Sequence, residues 1–271
     1  LIDKKNPSMK VDEKRPLTVS SIILSIITKI LNERMMEICE REGFFGEVQY
    51  GFRKKKSTTD CLFLLLAAIR KAKKSNYRIS VAFCDLAKAY DSVDRELLYK
   101  KLESIGFGGK ISQLIQSMYR NDHVKVKLSA GLSAPLFFTR GVKQGCCLSP
   151  LLFALYIVGL GTELHSTGLG IHMGNIILTA LLFADDLVII SRSAKGGMET
   201  LLSIVNMFCI EMHMTLSISK TYVLTTGGYD CSWALGSTDH TLEEELSAKY
   251  LGIKLQTRGR VLLLREREMV T

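Results

Sequence analysis

Two acidic elements far apart in the chain both sit beside apolar runs. They are Phe83-Cys84-Asp85, at the end of Ile79 to Cys84, and Phe183-Ala184-Asp185-Asp186, between Ile176 to Leu182 and Leu187 to Ile190. Each places a carboxylate at the tip of a strand expected to be buried, where an unpaired negative charge is costly. Burial alone would raise the pKa of such acids and leave them neutral. Carboxylates converging from two strands are better explained as shared ligands of divalent cations, because oxygen donors suit Mg2+ and its charge offsets theirs. That donor set is the one used in two-metal phosphoryl transfer. The competing reading of Asp185-Asp186 is a plain hairpin turn, where Asp is common.

The chain has 271 residues, 47% of them hydrophobic, enough for one large domain or two small ones. Its net charge of +9 favours a polyanionic partner. Seven cysteines are scattered with no C-x-x-C pair, so neither a disulfide framework nor a zinc site is indicated, and they read as buried thiols in a reducing compartment. The N-terminus, Leu1-Ile2-Asp3-Lys4-Lys5, carries no initiator Met and no signal pattern and reads as a fragment cut from a longer protein. The apolar stretch from Gly145 to Thr162 contains Pro150, Gly159 and Gly161, which favours a buried helix over a membrane span.

Helical spacing runs from Val19 to about Arg41, through Ile22, Ile23, Ile26, Ile27, Ile30, Leu31, Met35 and Ile38, with Gly43 as the stop. Lys4 to Arg15 suits an extended surface hairpin. Ser57 or Thr58 caps a helix through Leu62, Leu65, Ala68 and Ile69 that ends in basic residues. Further helices are expected from Asp94 to Gly106, over Lys110 to Tyr119, from Pro150 and over Met198 to His213. Val124 to Leu128 alternates with period two and should pair with Leu136 to Thr139 through a turn containing Gly131. Ile176 to Phe183 and Leu187 to Ser191 should form an antiparallel hairpin, and a last strand begins at Tyr250-Leu251-Gly252-Ile253. Strands and helices mix without a regular βαβ repeat, so the fold class is α+β.

Three segments, in order, resemble the catalytic motifs of reverse transcriptases: Phe83-Cys84-Asp85-Leu86-Ala87-Lys88-Ala89-Tyr90-Asp91, Gly141-Val142-Lys143-Gln144-Gly145 through Phe153, and Phe183-Ala184-Asp185-Asp186. The wording is most similar to non-LTR (LINE-type) retrotransposons, with group II intron enzymes more distant. The resemblance spans nearly the whole chain. It implies a right-hand polymerase with fingers over about 1–78 and palm over about 79–255, and an antiparallel palm sheet packed on helices. The function implied is RNA-directed DNA polymerase, adding dNTPs to a DNA primer on an RNA template.

By that resemblance Asp85 and Asp185 bridge two Mg2+ ions, with Mn2+ as an alternative, and Asp186 assists. Leu86, Tyr90, Gln144 and Gly145 meet the substrate, Tyr90 as the steric gate against a ribose 2′-OH. Lys5 and Arg15, in the fingers hairpin, grip the triphosphate, with a solvated basic surface as the rival reading for Lys5. Gln49-Tyr50-Gly51-Phe52-Arg53 is a further family segment of the fingers. Arg53, Lys54, Lys55 and Lys56 could neutralise template phosphates or be merely solvated. Lys220 matches a lysine that donates a proton to the leaving pyrophosphate, or is an exposed lysine at a strand end. Tyr250, Leu251 and Gly252 resemble the primer grip. Residues 256–271 read as the start of a connection to a helical thumb that is absent. A truncated or domesticated remnant that binds nucleic acid without polymerising is therefore the alternative. No membrane association is expected, and analogy with retroelement proteins places the chain inside the cell, in nucleus and cytoplasm.

Overall fold

The structure, a computed structural model, describes residues 2–3, 14–15, 17–120, 123–128, 131–192, 196–226, 233–234, 241–242, 247–258 and 261–265. The chain divides into two compact units, Leu1–Phe44 with Lys88–Ile157 and Phe45–Ala87 with Val158–Thr271.

In the first unit a two-residue ladder pairs Ile2–Asp3 with Lys14–Arg15, the strands of the expected hairpin. The first helix is Ile22–Glu42. Ser21 Oγ accepts from Leu24 N, and Gly43 closes the helix at φ 69, a left-handed conformation in which glycine carries no Cβ penalty. Only the C-terminal half of the apolar stripe is buried: Leu31, Met35, Met36 and Cys39 are covered, whereas Ile22, Ile23 and Ile26 are exposed. Asp94 Oδ1 accepts from Glu96 N and Leu97 N and caps the helix Arg95–Ser104. Gly109–Arg120 follows, and then Ser149–Tyr156, with Pro150 in its first turn and every residue but Pro150 buried.

The long pairing expected between Val124–Leu128 and Leu136–Thr139 is corrected to two short ladders, His123–Val124 with Leu136–Phe137 and Lys127–Leu128 with Gly131–Leu132. Ser133 breaks it. Its Oγ accepts from Val126 N at 2.9 Å while its own N–H donates to Val126 O, so a side-chain oxygen takes the place of the carbonyl that would continue the ladder.

The second unit is built on a four-stranded antiparallel sheet in the order Ala180–Phe183, Asp186–Ser191, Ser80–Asp85, Tyr222–Thr225. The two central strands are almost wholly buried beyond their acidic tips, which is why they read as continuous apolar runs. The helix Thr58–Lys74, held by a Ser57–Asp60 capping box, places Cys61, Leu65, Ala68, Ile69 and Ala72 in a core with Val81, Phe83, Val188 and Ile190. Gly196–Glu211 buries Leu201, Leu202, Val205 and Phe208. The expected single strand over Ile176–Phe183 is two, because Ile176–Leu178 pairs with Ile171–Met173 and only Ala180–Phe183 joins the central sheet.

The strand expected from Tyr250 begins at Ile253, because Tyr250 ends a preceding strand. Ser247–Tyr250 pairs with Ile253–Arg258, and Leu251 (φ 45) and Gly252 (φ 85) form the two-residue connection. Val261–Arg265 adds a third strand. No helix among the described residues is long and apolar enough to cross a membrane, and the Gly145–Thr162 stretch is cut into two helices at Gly159. Among the described cysteines, Cys39, Cys61, Cys84 and Cys209 are buried free thiols, Cys146 is partly covered, and Cys147 is exposed.

Candidate active site

The second unit brings the two acidic elements together through strand register. Phe183 pairs with Asp186, leaving Ala184-Asp185 as a two-residue hairpin turn, and on its other edge Asp186 pairs directly with Asp85. Ala184 stands at φ 59, where a residue with a Cβ is strained. The end of the Asp85 strand is wrapped by the segment 215–221. Asp85 N donates to Thr221 Oγ1, Ser217 N donates to Asp85 O at 2.8 Å, and Ala87 N donates to Thr215 O. That segment carries Lys220, whose Nζ lies 3.2 Å from Asp85 Oδ2. The pair is largely open to water, so it adds little stability, but it sets a cation beside the acid. Phe83, Cys84, Asp85, Asp186, Leu187, Lys220, Tyr222 and Tyr250 line a cleft of about 100 Å³. Its floor is aromatic, since Phe83 stacks on Tyr222 at 5.4 Å and packs against Tyr250 at 5.6 Å.

Partial desolvation, and then the charges of Asp185 and Asp85, push the Asp186 carboxyl from 3.8 up to about 6. Between those values the folded chain holds a proton that the unfolded chain releases. The associated stability is therefore present at acid pH and lost as pH rises through about 6. In metal-free buffer, wild type should lose Tm relative to Asp186→Asn as pH rises from about 4 to about 7. A Tm difference that is flat across that range would contradict the assignment.

Carboxylates brought together by register, one of them lifted by burial and by the charges of the others, are oxygen donors of the kind that suits a hard divalent cation. They do not stand as a finished cage: among the described residues no three His, Cys, Asp or Glu side chains already form a metal-holding group, and Asp85 carries the Lys220 ammonium instead.

Comparison with known proteins agrees with this architecture. The sequence profile described as "Reverse transcriptase (RNA-dependent DNA polymerase)" matches residues 2–255. The chain belongs to the reverse transcriptase family. It is 24% identical over 257 residues to the transposon TX1 uncharacterized 149 kDa protein of Xenopus laevis, covering 94% of this chain and 19% of that protein. It is 27% identical over 270 residues to the retrovirus-related Pol polyprotein from type-2 retrotransposable element R2DM of Drosophila melanogaster, covering 96% and 25%. These are non-LTR retrotransposon proteins, as the motifs implied, and this reverse transcriptase domain spans a quarter or less of their length. Among solved structures, telomerase from Candida tropicalis in complex with a TWJ fragment of telomeric RNA is similar at a TM-score of 0.61 and 12% identity, over 90% of this chain and 37% of that one. At that identity the likeness is one of fold, and it is consistent with the fingers and palm of a polymerase.

The other site residues expected from the sequence fall into distinct settings. In the first unit the Tyr90 ring lies flat on Phe153, with centroids 5.1 Å apart. Gln144 Nε2 donates to Asp91 Oδ1 at 2.9 Å, and Gln144 O accepts from Thr18 N. Gly145 stands at φ 102, where a side chain is strained, and a Cβ there would come 3.0 Å from Thr18 O, so the backbone conformation itself favours glycine. Arg15 lies in its two-residue strand, with its side chain outside the described residues, as is Lys5 altogether.

In the second unit Leu86 is buried and bridges to Leu216, so its side chain is committed to the core and only its backbone is available to a substrate. Arg53 Nη1 donates to Gly46 O and Gln49 O, and its guanidinium lies over Phe45. Lys56 sits over the Tyr50 ring and 3.9 Å from Glu47. Lys54 and Lys55 are exposed. Tyr250 is buried, and burial together with Cys61 holds its phenol well above the ordinary value, so it serves the cleft floor rather than a proton transfer. Sequence reasoning missed Thr221 and the packing role of Tyr222, and gave Gln49 no role of its own. A lone glutamine between Val48 and Tyr50 was the available signal for Gln49.

Proposed function

We propose that the chain is the catalytic domain of an RNA-directed DNA polymerase from a non-LTR retrotransposon, joining dNTPs to the 3′-hydroxyl of a DNA primer on an RNA template with release of pyrophosphate. The observation that carries this reading is the in-register pairing of Asp186 with Asp85, with Asp185 in the adjoining turn, at the mouth of a cleft that also holds Lys220. Asp85 and Asp185 would hold two Mg2+ ions, or Mn2+ in their place, with Asp186 assisting. Bound there, the cations would supply the charge that activates the primer hydroxyl and neutralises the triphosphate.

The chain's own residues would do the rest. Lys220, already beside Asp85, would deliver a proton to the departing pyrophosphate. Tyr90, its ring held by Phe153, would exclude a ribose 2′-OH. Gln144 with Arg15 and Lys5 would position the nucleotide, and Gly145 would allow close backbone approach. Lys54 and Lys55, rather than the internally engaged Arg53 and Lys56, would meet template phosphates. Leu251 and Gly252 would steady the primer. Fingers over about 1–78 and palm over about 79–255 belong to the same reading.

The test is primer extension on poly(rA)/oligo(dT) with dTTP. The expected result is incorporation with Mg2+ or Mn2+ that EDTA abolishes. No incorporation with either cation overturns the reading for this chain.

A further inference from the structure

The segment Val48 to Gly51 is bound to the strand that leads into the Asp185 turn. Leu182 N donates to Val48 O at 2.8 Å and Tyr50 N donates to Leu182 O at 2.7 Å, a parallel bridge between Gln49 and Leu182. The Gln49 side chain, 3% exposed, carries this contact on into the turn. Its Oε1 accepts from Gly51 N at 2.8 Å and from Ala184 N at 3.2 Å. Both partners are donors, so the amide oxygen must face them, and Nε2 is left buried without a partner. Gly51 lies against the same peptide: a Cβ there would come 2.2 Å from Ala184 N and 3.0 Å from Phe183 C.

Ala184 is the first residue of the two-residue turn and stands at φ 59. Turns of this kind usually place glycine where φ is positive. An alanine there persists only where its surroundings over-determine the conformation. Here the determinant is visible: the Ala184 N–H points into the interior and meets one acceptor, Gln49 Oε1, across a gap that only a glycine at position 51 leaves open.

The geometry points to Gln49 and Gly51 as positioning residues that lock the Ala184 peptide in its left-handed form and thereby set the orientation of Asp185 beside Asp186 and Asp85. The catalytic consequence rests on the polymerase reading above; the lock itself does not. Without the acceptor, the Ala184 N–H is buried and unsatisfied, and the turn relaxes toward a right-handed or flipped peptide that aims Asp185 elsewhere.

The test is residue-resolved amide hydrogen exchange on the full chain, joined to primer-extension kinetics. Gln49→Met conserves volume and removes the acceptor. Exchange at Ala184 should accelerate by about tenfold or more while the amides of the core strand around Val188 and Ile189 keep wild-type protection. Gln49→Glu keeps an oxygen acceptor in place and adds no charge while its buried carboxyl is protonated, so at about pH 5 it should restore protection at Ala184. In kinetics, Gln49→Met should lower kcat by about 10²-fold with KM for dTTP little changed, the result of a misaimed group rather than lost binding. Should Gln49→Met not accumulate as folded protein, Gly51→Ala makes the same test by displacing the Ala184 peptide.

Unchanged exchange at Ala184 overturns the inference. So does acceleration spread equally through the Asp186–Ser191 strand, which would indicate general loosening, and so does failure of Gln49→Glu to restore protection. Exchange needs no catalysis, so an inactive wild type would defeat the polymerase reading and leave this test standing.

Discussion

Asp85→Ala should lower primer extension by at least about 10³-fold, because stabilisation of transition-state charge by carboxylate-held cations is worth several kcal/mol. The same change should leave the fold almost untouched. The side chain is partly exposed at a strand tip, and its ion pair with Lys220 is open to water, so the stability at stake is about 1 kcal/mol or less. It should also lower the Asp186 pKa, since the Asp85 charge is one of the causes holding that carboxyl up. The three readouts are dTMP incorporation, Tm and NMR titration of Asp186. Incorporation within tenfold of wild type in a folded variant would remove Asp85 from the catalytic site.

Arg95→Leu should strongly destabilise the first unit. Arg95 is 8% exposed, and its guanidinium donates to three backbone carbonyls, Gly141 O at 2.9 Å, Phe138 O at 2.7 Å and Tyr119 O at 3.5 Å, while lying over the Tyr119 ring. One planar fork thus ties the start of the Arg95–Ser104 helix to the end of the Gly109–Arg120 helix and to the strand leading to Gly141. Leucine would leave those carbonyls buried and unpaired, at a cost of about 3 to 5 kcal/mol. For a unit of this size that corresponds to a fall in Tm of roughly 10 °C or more. Arg95→Lys should recover only part of it, because a point charge cannot reach three acceptors in a plane. Circular dichroism melts of the three proteins decide this, and a Tm for Arg95→Leu within about 2 °C of wild type would show that the fork is dispensable.

Arg95 also shows where local reading stops. At the sequence level it is a basic residue in the first turn of a helix, where the dipole disfavours it. That misfit was the one sign that its charge was wanted elsewhere. Its acceptors lie 24 to 46 residues further along the chain, and no periodicity announces them. Gln49 is similar: the segment around it was recognisable, but its task depends on Ala184, 135 residues away. The N-terminal isoleucines err in the opposite direction. Ile22, Ile23 and Ile26 follow helical spacing and do lie on a helix, yet they are exposed. Spacing reports which residues share a face, not what covers it. The run Arg53 to Lys56 is divided for the same reason, since the neighbours that engage Arg53 and Lys56 are set by how the loop folds.

The sequence by itself determined the chemistry. Carboxylates beside apolar runs could be tolerated only at strand tips with a partner of opposite charge, and the order of the three motifs restricted the family. Strand and helix types followed from patterns within a few residues, where backbone geometry dictates which side chains share a face. The tertiary structure alone decided the register, which set Asp186 rather than Asp185 opposite Asp85, put Lys220 on Asp85, and gave the strained Ala184 peptide its acceptor. Those contacts join segments about 100 or more residues apart, and their positions depend on how whole strands align in the sheet. A slip of one residue would turn every side chain to the opposite face.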